Sequence, residues 1–215
     1  MTDTADSVLL AAGLAGVPGD PGPLPAGRAD AVVLAVADAE RAAARYRAAL
    51  GLRCTAYAGP ETGRPDTVSY VLTGPGTRIV LTSPARAGGP RGRELAAGPA
   101  RCADGVLDLP VSVPDVYYAY DYAVDRGALS LAEPYETRDR FGSVVLATIA
   151  VPGGTRHTLV DRAGYAGPYL PGYEPVGSYE PYGPYGSGEM VGPTGLFEPG
   201  EPYRLYDPFG VPGGR

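Results

Sequence analysis

Two hydrophobic periods alternate along this chain, and each change of period marks an element. Residues 31–37 (AVVLAVA) form a continuous apolar run bounded by Asp30 and Asp38, the pattern of a buried strand. Asp38 then predicts a helix cap, because its carboxylate can accept from the free N–H groups of a first turn. Behind it Ala39, Ala43, Tyr46 and Leu50 share one helical face, while Glu40, Arg41, Arg45 and Arg47 lie largely off it. Gly51 supplies the left-handed stop. Three strands follow over residues 52–57, 67–72 and 77–82, separated by the turn signals AGPETGRPD and TGPG.

A connector rich in Gly, Pro and Arg (residues 85–103) contains GRELAA, which predicts a turn or two of helix. The pattern then starts again. Residues 106–113 read as an apolar strand that Pro110 weakens, as at an edge or a bulge. Asp115 caps a helix with Val116, Ala119, Tyr120, Ala123 and Val124 inward, and Gly127 ends it. Strands are predicted over residues 129–133, 144–150 and 155–160. The two caps lie 77 positions apart and the two glycine stops 76. A strand, a helix and three strands therefore occur twice, with little identity between the copies. One unit alone leaves an apolar sheet face exposed. Two units packed about a pseudo-twofold axis complete a curved mixed sheet around a cleft, with a helix behind each half. The expected class is α+β, with βαβββ units at about residues 30–83 and 105–162.

Composition changes the picture at the two ends. The chain holds 32 Gly and 24 Pro, and residues 164–215 carry 8 of the 16 Tyr and 10 of those Pro. Residues 1–27 read as a flexible arm, 28–173 as the folded domain and 174–215 as a Pro/Gly/Tyr-rich disordered tail. In that tail Pro-Tyr-Gly steps block helix and ladder alike. An arm with tyrosines in surface grooves, or a partner-binding scaffold arm, are the other readings. Arginine supplies the positive charge, and a net charge of -6 argues against nucleic acid or an anionic membrane held by charge. The apolar run of residues 8–12 is too short for a signal core or a span, so a cytoplasmic protein is expected. Cys54 and Cys102 lack metal or redox spacing and read as reduced buried thiols.

The densest stretch is residues 144–173, VVLATIAVPGGTRHTLVDRAGYAGPYLPGY, which holds the single histidine. Flanked by Arg156 and Thr158, His157 reads as a hydrogen-bonded strand histidine facing the cleft or a helix, in preference to a ligand. Asp161 and Arg162 read as a strand-end ion pair or cap. No nucleophile elbow, phosphate loop or dinucleotide fingerprint occurs in the sequence.

Together, DAVVLAVADAERAAARYRAALG, AYAGPETG, SYVL, IVLTSP, the DGV–D of DGVLDL, AEPYE, VVLATIA and TRHTLVDRAGYAGPYLPGY resemble a known family. They look like the N-terminal half of the 4-hydroxyphenylpyruvate dioxygenase and hydroxymandelate synthase family, over about Asp30 to Tyr173. The resemblance implies the vicinal oxygen chelate (glyoxalase/bleomycin resistance-like) fold. It also implies a two-domain protein of tyrosine catabolism. The C-terminal domain there holds Fe(II) through two histidines and a glutamate, and the N-terminal domain is largely structural and assembles the oligomer. No position here matches the iron ligands, so no catalytic, cofactor-binding or metal residue is assigned and no cofactor is expected in this chain. In the superfamily, ligands come from the first and last strands of each unit, here near Val33, Val80, Leu109 and His157. Where members carry a histidine-bearing stretch, this chain reads GPARCADGV. Three functions stay open. The favoured one is a structural, dimerising or small-ligand-binding domain, with a homo-oligomer and a small aromatic ligand as its partners. The others are an Fe(II) dioxygenase active only with a separate catalytic half, and a scaffold acting through its tail.

Overall fold

The computed structural model of the chain describes residues 27–85, 89–97, 105–151 and 156–177. Most of the expected N-terminal arm, Cys102 and residues 178–215 of the expected tail lie outside these. The first unit runs β1 (Arg28–Ala29), β2 (Val32–Ala35), α1 (Ala39–Leu50), β3 (Arg53–Ala58), β4 (Thr67–Gly74) and β5 (Thr77–Pro84). After α2 (Pro90–Ala97) come β6 (Gly105–Asp108), β7 (Val111–Ser112), α3 (Val116–Asp125), β8 (Leu129–Asp139), β9 (Gly142–Ala150) and β10 (Arg156–Asp161). A last strand, β11, spans Glu174–Pro175.

α1 and α3 begin and end as their sequences dictate. Asp38 accepts from the Arg41 amide and Asp115 from the Tyr118 amide, each at 3.0 Å. Gly51 closes α1 at φ 66°, and Gly127 follows α3 at φ 92°. The faces differ from expectation at two points. Leu50, expected inward, is 58% exposed, because the last residue of α1 lies beyond the packed turns at Ala39, Ala42 and Ala43. Tyr122, which was not among the residues expected inward, is buried; Arg126 covers it, 3.4 Å above its ring, and Tyr118 meets its ring at 6.2 Å. Tyr117 and Tyr118 face outward, so the crowded tyrosines of α3 divide between core and surface.

The curved mixed sheet is divided into two ladders, ordered β1-β7-β10-β9-β8 and β11-β3-β4-β5-β2-β6. In each, one pair is parallel, β7 with β10 and β2 with β5. In each unit the first strand is instead shared between the two sheets: β1, before Asp30 and outside the expected 31–37, precedes β2, and the strand expected over 106–113 divides into β6 and β7. β1 adds to β7 of the second unit, and β6 adds to β2 of the first. Pro110 explains the second split: it has no N–H to continue a ladder, and its carbonyl instead accepts from Asp30 N at 2.9 Å. Arg28 opposes Ser112 and Gly105 opposes Ala35, the same pair offset by 77 residues at both ends. The duplication is therefore physical, down to the register. β8 also outruns its expected end at residue 133, passing Pro134 by register shifts at residues 130–135.

Three apolar layers result. α1 packs on β3, β4 and β5 around Val36, Leu72 and Leu81. α3 packs on β8, β9 and β10 around Val116, Ile149 and Leu159. Between the sheets lies a third cluster drawn from both, including Val33, Val71, Val80, Val144, Leu146 and Val160.

Candidate functional site

The cleft between the sheets is the place where this architecture presents side chains from both units. Strand alternation decides which ones. On β10, Val160 opposes Leu146 and both belong to the inter-sheet cluster. Leu159 opposes Ala147, and both pack under α3. His157 is in phase with Leu159, opposes Ile149, and so lies on the helix side. Its Nδ1–H donates to the Leu109 carbonyl at 3.1 Å. Burial lowers its pKa from the ordinary value, and the Leu109 hydrogen bond opposes that shift. Of the two orientations open from sequence, the structure has the one facing the helix.

Thr158, one residue on, takes the cleft side. It is fully buried and binds the equally buried Asp108: its N–H donates to Oδ1 at 3.0 Å and its hydroxyl to Oδ2 at 2.5 Å. Sequence reasoning missed this pair, because the one-residue phase of β10 can be set only by knowing its partner strand. In the first unit the cleft positions are Val33 and Val80, directly paired across β2 and β5.

After β10 the chain crosses the cleft as a strap. Arg162 leads into it, and its Nε–H donates to the Tyr169 carbonyl at 2.9 Å. Gly164 and Ala166 bond the backbone of Ser143 and Phe141, beside β9. Gly142 sits there at φ 120°, and any Cβ on it would come within 2.1 Å of the Gly164 carbonyl. Asp139 accepts from the Tyr165 hydroxyl at 2.9 Å and the Gly172 amide at 3.2 Å. Tyr169, Leu170 and Tyr173 then enter the inter-sheet cluster, each 2% exposed or less. Tyr169 and Tyr173 meet edge-on at 5.0 Å, and the Arg64 guanidinium stacks on Tyr173 at 4.7 Å. Finally Glu174–Pro175, the first residues of the expected tail, pair with β3 and complete the six-stranded sheet; Arg140 forms an ion pair with Glu174. The strap thus runs from β10, the middle strand of one sheet, past the turn between β8 and β9 to the outer edge of the other sheet.

Where the strap starts, Asp30 binds two arginines. Its Oδ1 accepts from Arg78 Nη1 at 2.8 Å and Arg162 Nη1 at 2.5 Å, and its Oδ2 from Arg162 Nη2 at 2.8 Å. Asp161 and Arg162 were expected to form a strand-end ion pair or cap; Arg162 reaches Asp30, while Asp161 accepts from the Ala163 amide. Cys54 is a buried free thiol, its pKa raised by burial, which is the inert state expected of it.

A facial Fe(II) site needs two imidazoles and a carboxylate converging on one metal. The cleft offers Val33, Val80 and Thr158, its carboxylate Asp108 is committed to Thr158, and the imidazole points to the other face of the sheet. Among the described residues no three His, Cys, Asp or Glu side chains converge as a metal site. The residues present do not fit that centre.

Paired βαβββ units, exchanging their first strands around a central cleft, define the vicinal oxygen chelate architecture. The sequence profile of the Glyoxalase/Bleomycin resistance protein/Dioxygenase superfamily matches residues 28–159, and the chain belongs to that superfamily. Within it the chain is similar to the 4-hydroxyphenylpyruvate dioxygenase of Dictyostelium discoideum, 39% identical over 145 residues, which are 67% of this chain and 39% of that protein. It is similar too to the Yarrowia lipolytica enzyme of the same name, 35% identical over 64% of this chain and 35% of that one. A mutant of 4-hydroxymandelate synthase from Streptomyces coelicolor superposes with TM-score 0.58 at 30% identity, over 69% of this chain and 40% of that chain. The chain therefore spans about two fifths of the length of the curated relatives it matches.

Proposed function

We propose that residues 28–177 are a structural domain of a 4-hydroxyphenylpyruvate dioxygenase-type protein, serving assembly rather than iron chemistry. One observation carries this reading: Tyr169, Leu170 and Tyr173 of the chain's own strap occupy the space between the sheets. That packing favours the structural role over a small aromatic ligand in the cleft, since the ligand would have to displace two buried tyrosines. The outward Tyr117 and Tyr118, with Leu129 at 65% exposure and Val106 at 55%, supply apolar surface for a homo-oligomer. No described helix is long and apolar enough to cross a membrane.

The similarity to dioxygenases supports a second reading, in which the domain works beside a separate iron-binding half. Purification under reducing, anaerobic conditions followed by iron analysis and oxygen uptake on 4-hydroxyphenylpyruvate separates the two. The 215-residue chain is expected to carry no stoichiometric iron and to consume no oxygen. Stoichiometric iron with substrate-dependent uptake would overturn the structural reading.

A further inference from the structure

β8 is the open edge of its sheet, and the first unit shows what such an edge accepts. There the matching outer strand, β3, is paired antiparallel by β11; in the second unit β9 lies on one side of β8 and no described strand lies on the other. An uncovered edge presents a row of unmet backbone N–H and C=O groups, which proteins either blunt or pair. β8 is blunted over its first half alone, where its register shifts between residues 130 and 135 and Pro134 removes a donor. From Tyr135 to Asp139 it pairs with β9 residue for residue, without a bulge.

The side chains of that straight segment complement themselves. Thr137 is buried and Tyr135 packs on the inter-sheet cluster, whereas Glu136 and Arg138 are exposed on the opposite face. Across from them on β9 stand Val145 and Ser143, so the neighbouring strand holds no counter-charge directly opposite. A second copy does. Antiparallel pairing about Thr137 sets Glu136 against Arg138 of the second copy, and the twofold axis makes the same pair again. Opposite charges facing across strands stabilise a ladder, and like charges weaken it. Centring the pairing one residue either way sets Glu136 or Arg138 against its own copy, so the charges select one register. We propose that residues 135–139 of β8 are a self-association edge, to which a second copy of this chain adds antiparallel, joining two five-stranded sheets into one. This names the surface behind the assembly role proposed above and rests on that reading. So short a ladder makes the dimer weak and reversible.

Analytical ultracentrifugation of the full chain from about 1 μM to about 1 mM tests this. Glu136→Arg and Arg138→Glu each set like charges opposite, and each is expected to raise the dimer dissociation constant at least about tenfold. Combining the two restores opposite charges and is expected to bring the constant back to within about threefold of the native value. Both side chains are exposed, so the unfolding midpoints of the monomers stay native and a lost dimer is not a lost fold. Hydrogen exchange supplies the location: amides of residues 135–139 gain protection as the native chain dimerises. A dimer indifferent to both single reversals, or protected elsewhere, overturns the β8 edge and leaves the assembly role to another surface, as does a double exchange no tighter than the single ones. A native chain still monomeric at the top of that range overturns both.

Discussion

The two units follow one path and furnish their cleft faces with different chemistry. In the first, Val33 and Val80 face each other across a parallel pair, and the carboxylate Asp30 is satisfied by arginines at the rim. In the second, the position matching Val80 is Thr158, and the carboxylate Asp108 lies fully buried against it. The outer edges differ as well: β3 is covered by β11, while β8 stands at the edge of its sheet, interrupted by Pro134. A duplicated backbone thus fixes where side chains point and leaves their chemistry free to diverge, so that one half sealed itself with hydrocarbon and the other with an internal hydrogen bond.

The first way to break this comparison is to remove the rim carboxylate. Asp30→Asn removes the carboxylate that two guanidiniums share and is expected to cost about 3 kcal/mol, the lower end for a broken buried pair because both arginines keep some solvent. Urea denaturation measures it. Exchanging the matched cleft residues comes next. Thr158→Val takes the hydroxyl from a buried carboxylate and is expected to cost about 2 kcal/mol. Val80→Thr buries a hydroxyl lacking such a partner, at about 1 kcal/mol. Equal costs for the two would show that Asp108 gains nothing from Thr158. The helix caps probe what the units share: Asp38→Ala and Asp115→Ala should each cost about 1 kcal/mol and match one another.

The smallest effect is one of pH. Burial holds the folded-state pKa of His157 below its ordinary 6.5, so the unfolded chain takes up this proton first as pH falls. Its contribution is complete above about pH 6.5 and is lost on descending from there through the folded-state value. The chain has one histidine, so His157→Gln should flatten the change in unfolding midpoint between about pH 7.5 and about pH 5.5.

Elements set by local chemistry were legible in the residues. Asp38 and Asp115 cap, Gly51 and Gly127 stop, and the 77-residue offset between the caps announced the duplication that the sheet register then repeats. What was not legible depends on partners distant in sequence. β1 is invisible because Gly27, Arg28 and Ala29 carry no apolar run, and the division of β6 from β7 is invisible in a run that continues past Pro110. The phase of β10, which turns Thr158 and not His157 toward the cleft, is fixed by Ala147 and Leu146 of β9. The choice of Arg162 for Asp30, 132 residues away, over the adjacent Asp161 follows from the strap's route, which no local pattern encodes. Of the four positions named from the superfamily, Val33 and Val80 lie in the inter-sheet cluster, His157 lies on the helix side with Thr158 toward the cleft, and Leu109 meets His157 through its carbonyl.

The strap also sets an order of events during synthesis. Its aromatics are made after every strand they pack against except β11, so a nascent chain emerging from the ribosome first presents two sheets whose inner valines and leucines lack the strap's cover. Only when Tyr169 to Tyr173 have cleared the exit tunnel can the gap be sealed. During that interval the half-made molecule is at its stickiest, and chaperone engagement would be concentrated there.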